Sequence, residues 1–259
     1  MATPRPVRAF EYWAYQYRRT WRGSMVASFL NPVLFLLAMG LGLGSLVDRG
    51  HRAASLGGSQ YLVFLAPGLL AATAMQMAGA ESTYPVMASV KWVRQYFAML
   101  ATPLRTIDVL AGHLLYVAAR LALATTVFLG VMAAFGATRS WLALLAVPAA
   151  VLTGMAFAAP IMAWAVTMQS DGGFVPLFRF VLIPMFLFSG TFFPVSQLPA
   201  GIRPVAYVTP LWHGVALCRS LALGHITAVA LAVHLAVLGG LVVAGVVAGS
   251  VTYRKRLAT

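Results

Sequence analysis

The chain has 259 residues, 61% hydrophobic and 9% charged, with a mean hydropathy of +0.86; soluble domains carry roughly a quarter charged residues, so that class is excluded. Eighteen Lys and Arg against five Asp and Glu give a formal net charge of +13, which on so apolar a background suits an anionic membrane face better than nucleic acid. The single cysteine, Cys218, excludes an intrachain disulfide and any cysteine-based metal cluster.

Residues 5–22, RPVRAFEYWAYQYRRTWR, are amphipathic at the helical period. Phe10, Trp13, Ala14, Tyr17 and Trp21 share one face; Arg5, Arg8, Glu11, Arg18, Arg19 and Arg22 share the other. Aromatics on one side and arginines on the other predict a helix lying in the membrane interface. A helix packed on a soluble partner is the alternative.

An apolar helix needs about 20 residues to cross a bilayer. Six windows reach that length: 25–47, 61–81, 108–136, 141–168, 174–193 and 226–250. The first is too long and too far from the start to read as a signal peptide. No internal repeat or low-complexity linker divides residues 1–259, so the pattern predicts one all-α integral membrane domain of six spans. An even number of spans puts both termini on one side. That side holds Arg5, Arg8, Arg18, Arg19, Arg22, Lys91, Arg94, Arg105, Arg254, Lys255 and Arg256. The opposite loops hold only Arg49, Arg52, Arg139, Arg203 and Arg219. Basic residues favour the cytoplasmic side, so both termini are expected in the cytoplasm of a plasma-membrane protein.

Between the second and third spans lies STYPVMASVKWVRQYFAMLATPLRT, residues 82–106. Pro85 and Pro103 bracket a predicted helix over 86–100, because proline favours helix starts and stops. It mixes Lys91 and Arg94 with Val90, Trp92, Tyr96 and Phe97. The segment is too short to span and too apolar to be merely solvated. Either it docks a cytoplasmic protein or it lies in the interface as a second surface helix. Thr106 is the expected N-cap of the third span, with Asp108 in its first turn.

Arg120 falls deep in the third span, where an arginine faces a polar path or a partner; Glu81, at the end of the second span, is the candidate partner. His113 and His234 read as hydrogen-bonded interhelical histidines. Gly245 and Gly249, four apart, suit close helix packing, as do Gly40 and Gly44. Seven phenylalanines crowd 174–193, either lining a path or facing lipid and neighbouring helices.

The stretch 189–224 is apolar yet carries Pro194, Pro199, Pro204 and Pro210. Thr209-Pro210 reads as an N-cap and first helical residue, and Gly224 as a C-terminal stop. The helix between is about 21 Å long, short of the roughly 30 Å hydrocarbon core. With a shorter helix before it, residues 195–224 predict a re-entrant pair on the extracytoplasmic side, packed against the bundle because lipid tolerates no exposed backbone.

Catalytic and metal signatures are missing from the sequence. There is no HExxH, and the histidines lack metal-ligand spacing. Neither lysine is followed by Ser or Thr and preceded by Gly, so there is no phosphate-binding loop.

ATPLRTIDVLAGH at 101–113, FLFSGTFFPVSQLP at 186–199 and TPLWHGVALCRSLALG at 209–224 resemble stretches of the ABC type-2 export permeases, notably those for nodulation factors and daunorubicin-like drugs. The resemblance covers essentially the whole chain. It implies a permease that pairs with a second copy, identical or paralogous, and binds separate ABC ATPase subunits that carry the ATP and Mg²⁺. By that resemblance the coupling helix presents Val90, Lys91, Trp92, Arg94, Tyr96 and Phe97, closed by Thr102 and Pro103. Phe10, Trp13, Tyr17, Arg18, Arg19 and Trp21 mark the interfacial helix. Pro194, Pro199, Thr209, Pro210, Leu211, Arg219 and Gly224 belong to the re-entrant gate. No residue is implied to be catalytic, and this chain itself needs no cofactor. The cargo implied is an amphiphilic drug, a lipid or a lipid-linked glycan. An intramembrane enzyme acting on lipids and a non-transporting assembly subunit remain the competing classes.

Overall fold

The computed structural model describes residues 4–43 and 60–257, which are helical with no strand among them. Helix α1 runs Arg5–Phe35 and passes directly into a π-helical stretch, Leu36–Leu43. The surface helix expected over 5–22 and the span expected from 25 thus run on as one uninterrupted helix. One glycine, Gly23, falls there, and a single glycine costs a helix only about 1 kcal/mol. Residues 44–47 of the predicted first span, with Gly44, lie outside the described residues.

Five stretches among the described residues are long and apolar enough to cross a membrane: Tyr61–Lys91, Thr106–Ala134, Trp141–Ala165, Asp171–Phe188 and Ala228–Leu257. The first comprises α2 (Tyr61–Ser82) and the short α3 (Tyr84–Lys91). After α4 (Gln95–Leu100) come α5 (Thr106–Ala134) and α6 (Ala146–Ala165), the latter entered through a 3-10 turn at Trp141–Leu145. Helix α7, Asp171–Phe188, is a composite whose middle, Leu177–Leu182, is π-helical. Pro184 lies just beyond that wide stretch and has no amide to close a regular turn. Then follow α8 (Arg203–Val208), α9 (Pro210–Leu223) and α10 (Ala228–Leu257).

The ends of the fifth and sixth spans differ most from expectation. The fifth stops at Phe188 instead of 193, because Ser189 leaves the helical region and Gly190 turns at φ 82°. The sixth continues past 250 through Arg254, Lys255 and Arg256 to Leu257. Cations in a last turn interact favourably with the helix dipole, so the basic run extends the helix.

Helix α2 is the axis of the bundle: 78% of its apolar window is buried, against 11% for α7. It packs on α6 and α9, while α1 packs on α5 and α10 lies along α6. Small residues set these approaches. A Cβ on Gly112 would stand 2.5 Å from that of Ala9, and one on Gly245 would stand 2.5 Å from the backbone nitrogen of Pro160. Gly249 abuts Leu110 in the same way, at 2.8 Å. The Gly245–Gly249 pair thus serves the close packing that its spacing predicts.

Candidate functional site: a docking tip and an outer helix pair

The segment expected as one helix over 86–100 is two. Pro85 starts α3 as expected, but the chain reverses at Trp92–Arg94 before α4 begins. Arg94 takes a left-handed conformation (φ 55°), the only non-glycine to do so among the described residues. The amides of Trp92 and Val93 both close onto the Ala88 carbonyl, so α3 ends there. The reversal pushes two apolar side chains outward, with Trp92 64% and Val93 63% exposed. Arg94, Thr102 and Pro103 are also exposed, and Lys91 and Phe97 half-buried. Val90 and Tyr96 are buried within the chain and present no outer surface. A single helix would have turned Tyr96 outward with its neighbours; the turn at Arg94 resets the face.

Tyr96 occupies the junction beneath this tip. Its hydroxyl lies 2.6 Å from His113 Nδ1 on α5 and 3.2 Å from the Tyr253 hydroxyl on α10. Burial, with Tyr253 alongside, pushes the Tyr96 phenol well above its ordinary range. Next to it, Gln95 Nε2 donates to Ser89 Oγ (2.6 Å) on α3, while Gln95 Oε1 accepts from the Tyr12 hydroxyl (2.8 Å) on α1. Two adjacent residues of α4 therefore tie together α1, α3, α5 and α10.

The aromatic face of α1 turns inward. Trp13 is buried and stacks on His113 with centroids 4.0 Å apart and on Tyr116 at 5.5 Å. Phe10 and Tyr17 are half-buried against the same core. The predicted membrane-facing face is thus largely the face that packs on α5, because the apolar stripe finds a partner within the chain. Trp21, Arg18 and Arg19 remain exposed, as do Tyr12 and Tyr15 on the flank.

Arg120 and Glu81 form a pair at 2.7 Å. The Arg120 guanidinium also lies 4.9 Å from the Tyr17 ring centre and donates to the Tyr116 hydroxyl at 3.5 Å. This ties α5 to α2 and to α1, and accounts for an arginine deep in an apolar helix. Asp108 accepts from the Arg105 amide (2.9 Å), so it, and not Thr106, caps α5.

At the opposite end, α9 covers 14 residues. Thr209 Oγ1 accepts from the Trp212 amide (3.3 Å) with Pro210 in the first turn, and Gly224 (φ 77°) ends the helix. Thr209 also meets Ser189 at 2.9 Å, joining α9 to the end of α7. Arg219 reaches from α9 to the Phe64 carbonyl (3.0 Å) on α2 and the Gly190 carbonyl (2.9 Å). Its guanidinium lies over the Phe64 ring at 3.8 Å. Leu211 is buried, and a side chain on Gly214 would run into Thr153 of α6. Pro194 and Pro199 start short turns before α8, which Arg203 clips by donating to the carbonyls of Ser196 (2.7 Å) and Leu198 (3.0 Å). The His213 and His234 Nδ1 atoms meet at 2.9 Å between α9 and α10, so one donates and the other accepts.

Between the two ends, a cleft of about 470 Å³ opens among Leu34, Phe35, Leu69, Thr73, Gln76, Phe128 and Phe186. Its lining is apolar except for Thr73 and Gln76.

The ABC-2 type transporter family matches residues 10–223. The chain belongs to that family. Nodulation protein J of Rhizobium leguminosarum bv. trifolii is 36% identical over 221 residues, 82% of each chain. The protein of the same name from R. leguminosarum bv. viciae is 34% identical over 253 residues, 95% of each. That from Rhizobium meliloti (strain 1021) is 33% identical over 220 residues, 82% of this chain and 81% of the relative. The chain is therefore a multi-pass membrane permease.

Within this permease, sequence reasoning missed Val93, Gln95, Tyr12 and Tyr253. Tyr253 had a signal: Gly245, Gly249 and Tyr253 are spaced by four, which puts the tyrosine on the packing face of α10. Val93 had none, since its exposure comes from the left-handed turn at Arg94.

Proposed function

We propose that this permease is the membrane half of an ATP-driven exporter, crossing the inner membrane six times with both termini in the cytoplasm. Carrying the reading is the apolar pair Trp92–Val93, held outward on a turn at the end where α1 and α10 both bond to α4. An exposed tryptophan on a turn is the residue type that most often anchors a protein partner. Lys91, Trp92, Val93, Arg94, Phe97, Thr102 and Pro103 form the docking face, with Val90 and Tyr96 as its foundation. The partner is a soluble ABC ATPase that holds the ATP and Mg²⁺.

The outward face of α7, with Val175, Phe180 and Ile183 exposed, supports pairing with a second permease copy. Arg18, Arg19 and Trp21 suit the headgroup layer where α1 enters the bilayer. The α8–α9 pair is re-entrant and roofs the path, because 14 residues make a helix of about 21 Å. The cargo is an amphiphile, whether drug, lipid or lipid-linked glycan; the apolar cleft holding Thr73 and Gln76 suits such a molecule.

Co-expression with a candidate ABC ATPase from the same organism tests this. The two chains should purify together in detergent, and Trp92→Asp should release the ATPase while the permease stays folded. Wild-type permease that retains no ATPase would overturn the proposal.

A further inference from the structure

A second feature beside the tip carries a charge but has no counter-charge. Lys91 at the end of α3, Arg94 at the reversal and Arg256 in the last turn of α10 line a cleft of about 360 Å³ walled by Val90 and Phe97. The cations are held in place. Lys91 Nζ donates to the main-chain carbonyl of Gln169, and Arg256 Nη2 donates to its side-chain oxygen (3.2 Å). Arg94 lies 5.4 Å from the Phe97 ring centre. Arg256 Nε is buried and has no hydrogen-bond partner. Among the described residues no carboxylate comes within 4 Å of any of the three; the ion pair there is Glu81–Arg120. Asp171 stands two residues from Gln169 without pairing, and Arg254 and Lys255 lie exposed on the same turn of α10.

We propose that this cleft receives a carboxylate side chain of the docked ATPase, making Arg256 of the last helix a second point of attachment beside the Trp92–Val93 anchor. The inference rests on the docking reading above. Converging cations with unused donors are satisfied by an anion, and guanidinium–carboxylate pairing supplies directional hydrogen bonds. The position favours a protein anion over a lipid phosphate. Arg256 lies seven residues after Gly249 and three after Tyr253, on the face of α10 that packs into the bundle. The outward face carries Val243, Val247 and Val251 instead. The cleft thus adjoins the tip and not the apolar exterior of α10. Two attachment points on separate helices also fix the orientation of the ATPase, which one apolar anchor cannot do.

The test measures ATPase affinity for the full-length permease in nanodiscs of phosphatidylcholine alone and of phosphatidylcholine with phosphatidylglycerol. Arg256→Gln should weaken binding about tenfold in both lipids and flatten its salt dependence. Arg256→Lys should restore much of the loss, and Arg254→Gln with Lys255→Gln should bind as wild type. Arg256→Gln binding as tightly as wild type, while Trp92→Asp abolishes binding, would overturn the cleft assignment and leave the docking reading standing. A loss seen only with phosphatidylglycerol would overturn it in favour of a lipid headgroup. Wild type that binds no ATPase at all would overturn both readings.

Discussion

Tyr96 is the residue on which the terminal end of the bundle depends, because its one hydroxyl serves both α5 and α10. Tyr96→Phe keeps the ring and removes both bonds, leaving His113 Nδ1 and the Tyr253 hydroxyl to find other partners. Unsatisfied buried polar groups cost about 1–3 kcal/mol each, so the unfolding midpoint in detergent should fall, and permease-stimulated ATP hydrolysis should fall more than ATPase binding does. An unchanged midpoint would show that the hydroxyl carries no load. The Glu81–Arg120 pair behaves differently. Its partners are half-buried in an apolar wall, and removing one takes away the counter-charge that stands 2.7 Å from the other. Glu81→Ala should therefore destabilise the fold, and the double change Glu81→Ala with Arg120→Met should recover part of the loss. Strict additivity of the two single effects would argue that the 2.7 Å contact contributes nothing.

Helix α10 contains a test of packing at the scale of an element. Gly239 and Gly240 have nothing within 4 Å of where a Cβ would stand, whereas Gly245 meets the Pro160 backbone. Gly240→Ala should be neutral or stabilise by up to about 1 kcal/mol through helix propensity. Gly245→Ala should destabilise by about 1–3 kcal/mol, because backbone cannot give way as a side chain can. Thermal unfolding of the two variants side by side reads out the opposite signs. At α9, Thr209→Ala should cost about 1 kcal/mol as a lost N-cap. That helix was legible because Thr209-Pro210 and Gly224 are local backbone signals, and the sequence states them directly. The tip was not: proline bounds suggested one helix, but nothing in KWVRQY marks Arg94 as left-handed. The inward face of Trp13 was equally hidden, since amphipathicity shows that a stripe needs covering and not whether lipid or protein covers it. Arg120 and Glu81 were readable as a pair because a deep span leaves an arginine few alternatives.

Across the whole molecule, a buried axis, α2, stands between a tip tied to four helices at one end and a short capped helix pair at the other. Arg219 anchors that pair to α2 through Phe64, so displacement of α2 at the tip end reaches α9 without an intervening loop. This arrangement suits a machine whose work is done on one side and whose exit lies on the other. Under the proposed function a separate ATPase drives the permease through the tip. The most direct measurement is the rate of ATP hydrolysis by the partner ATPase in proteoliposomes, alone, with wild-type permease and with Trp92→Asp. Wild type should raise the rate and Trp92→Asp should not. A rate that is the same with and without the wild-type permease would contradict the proposed function.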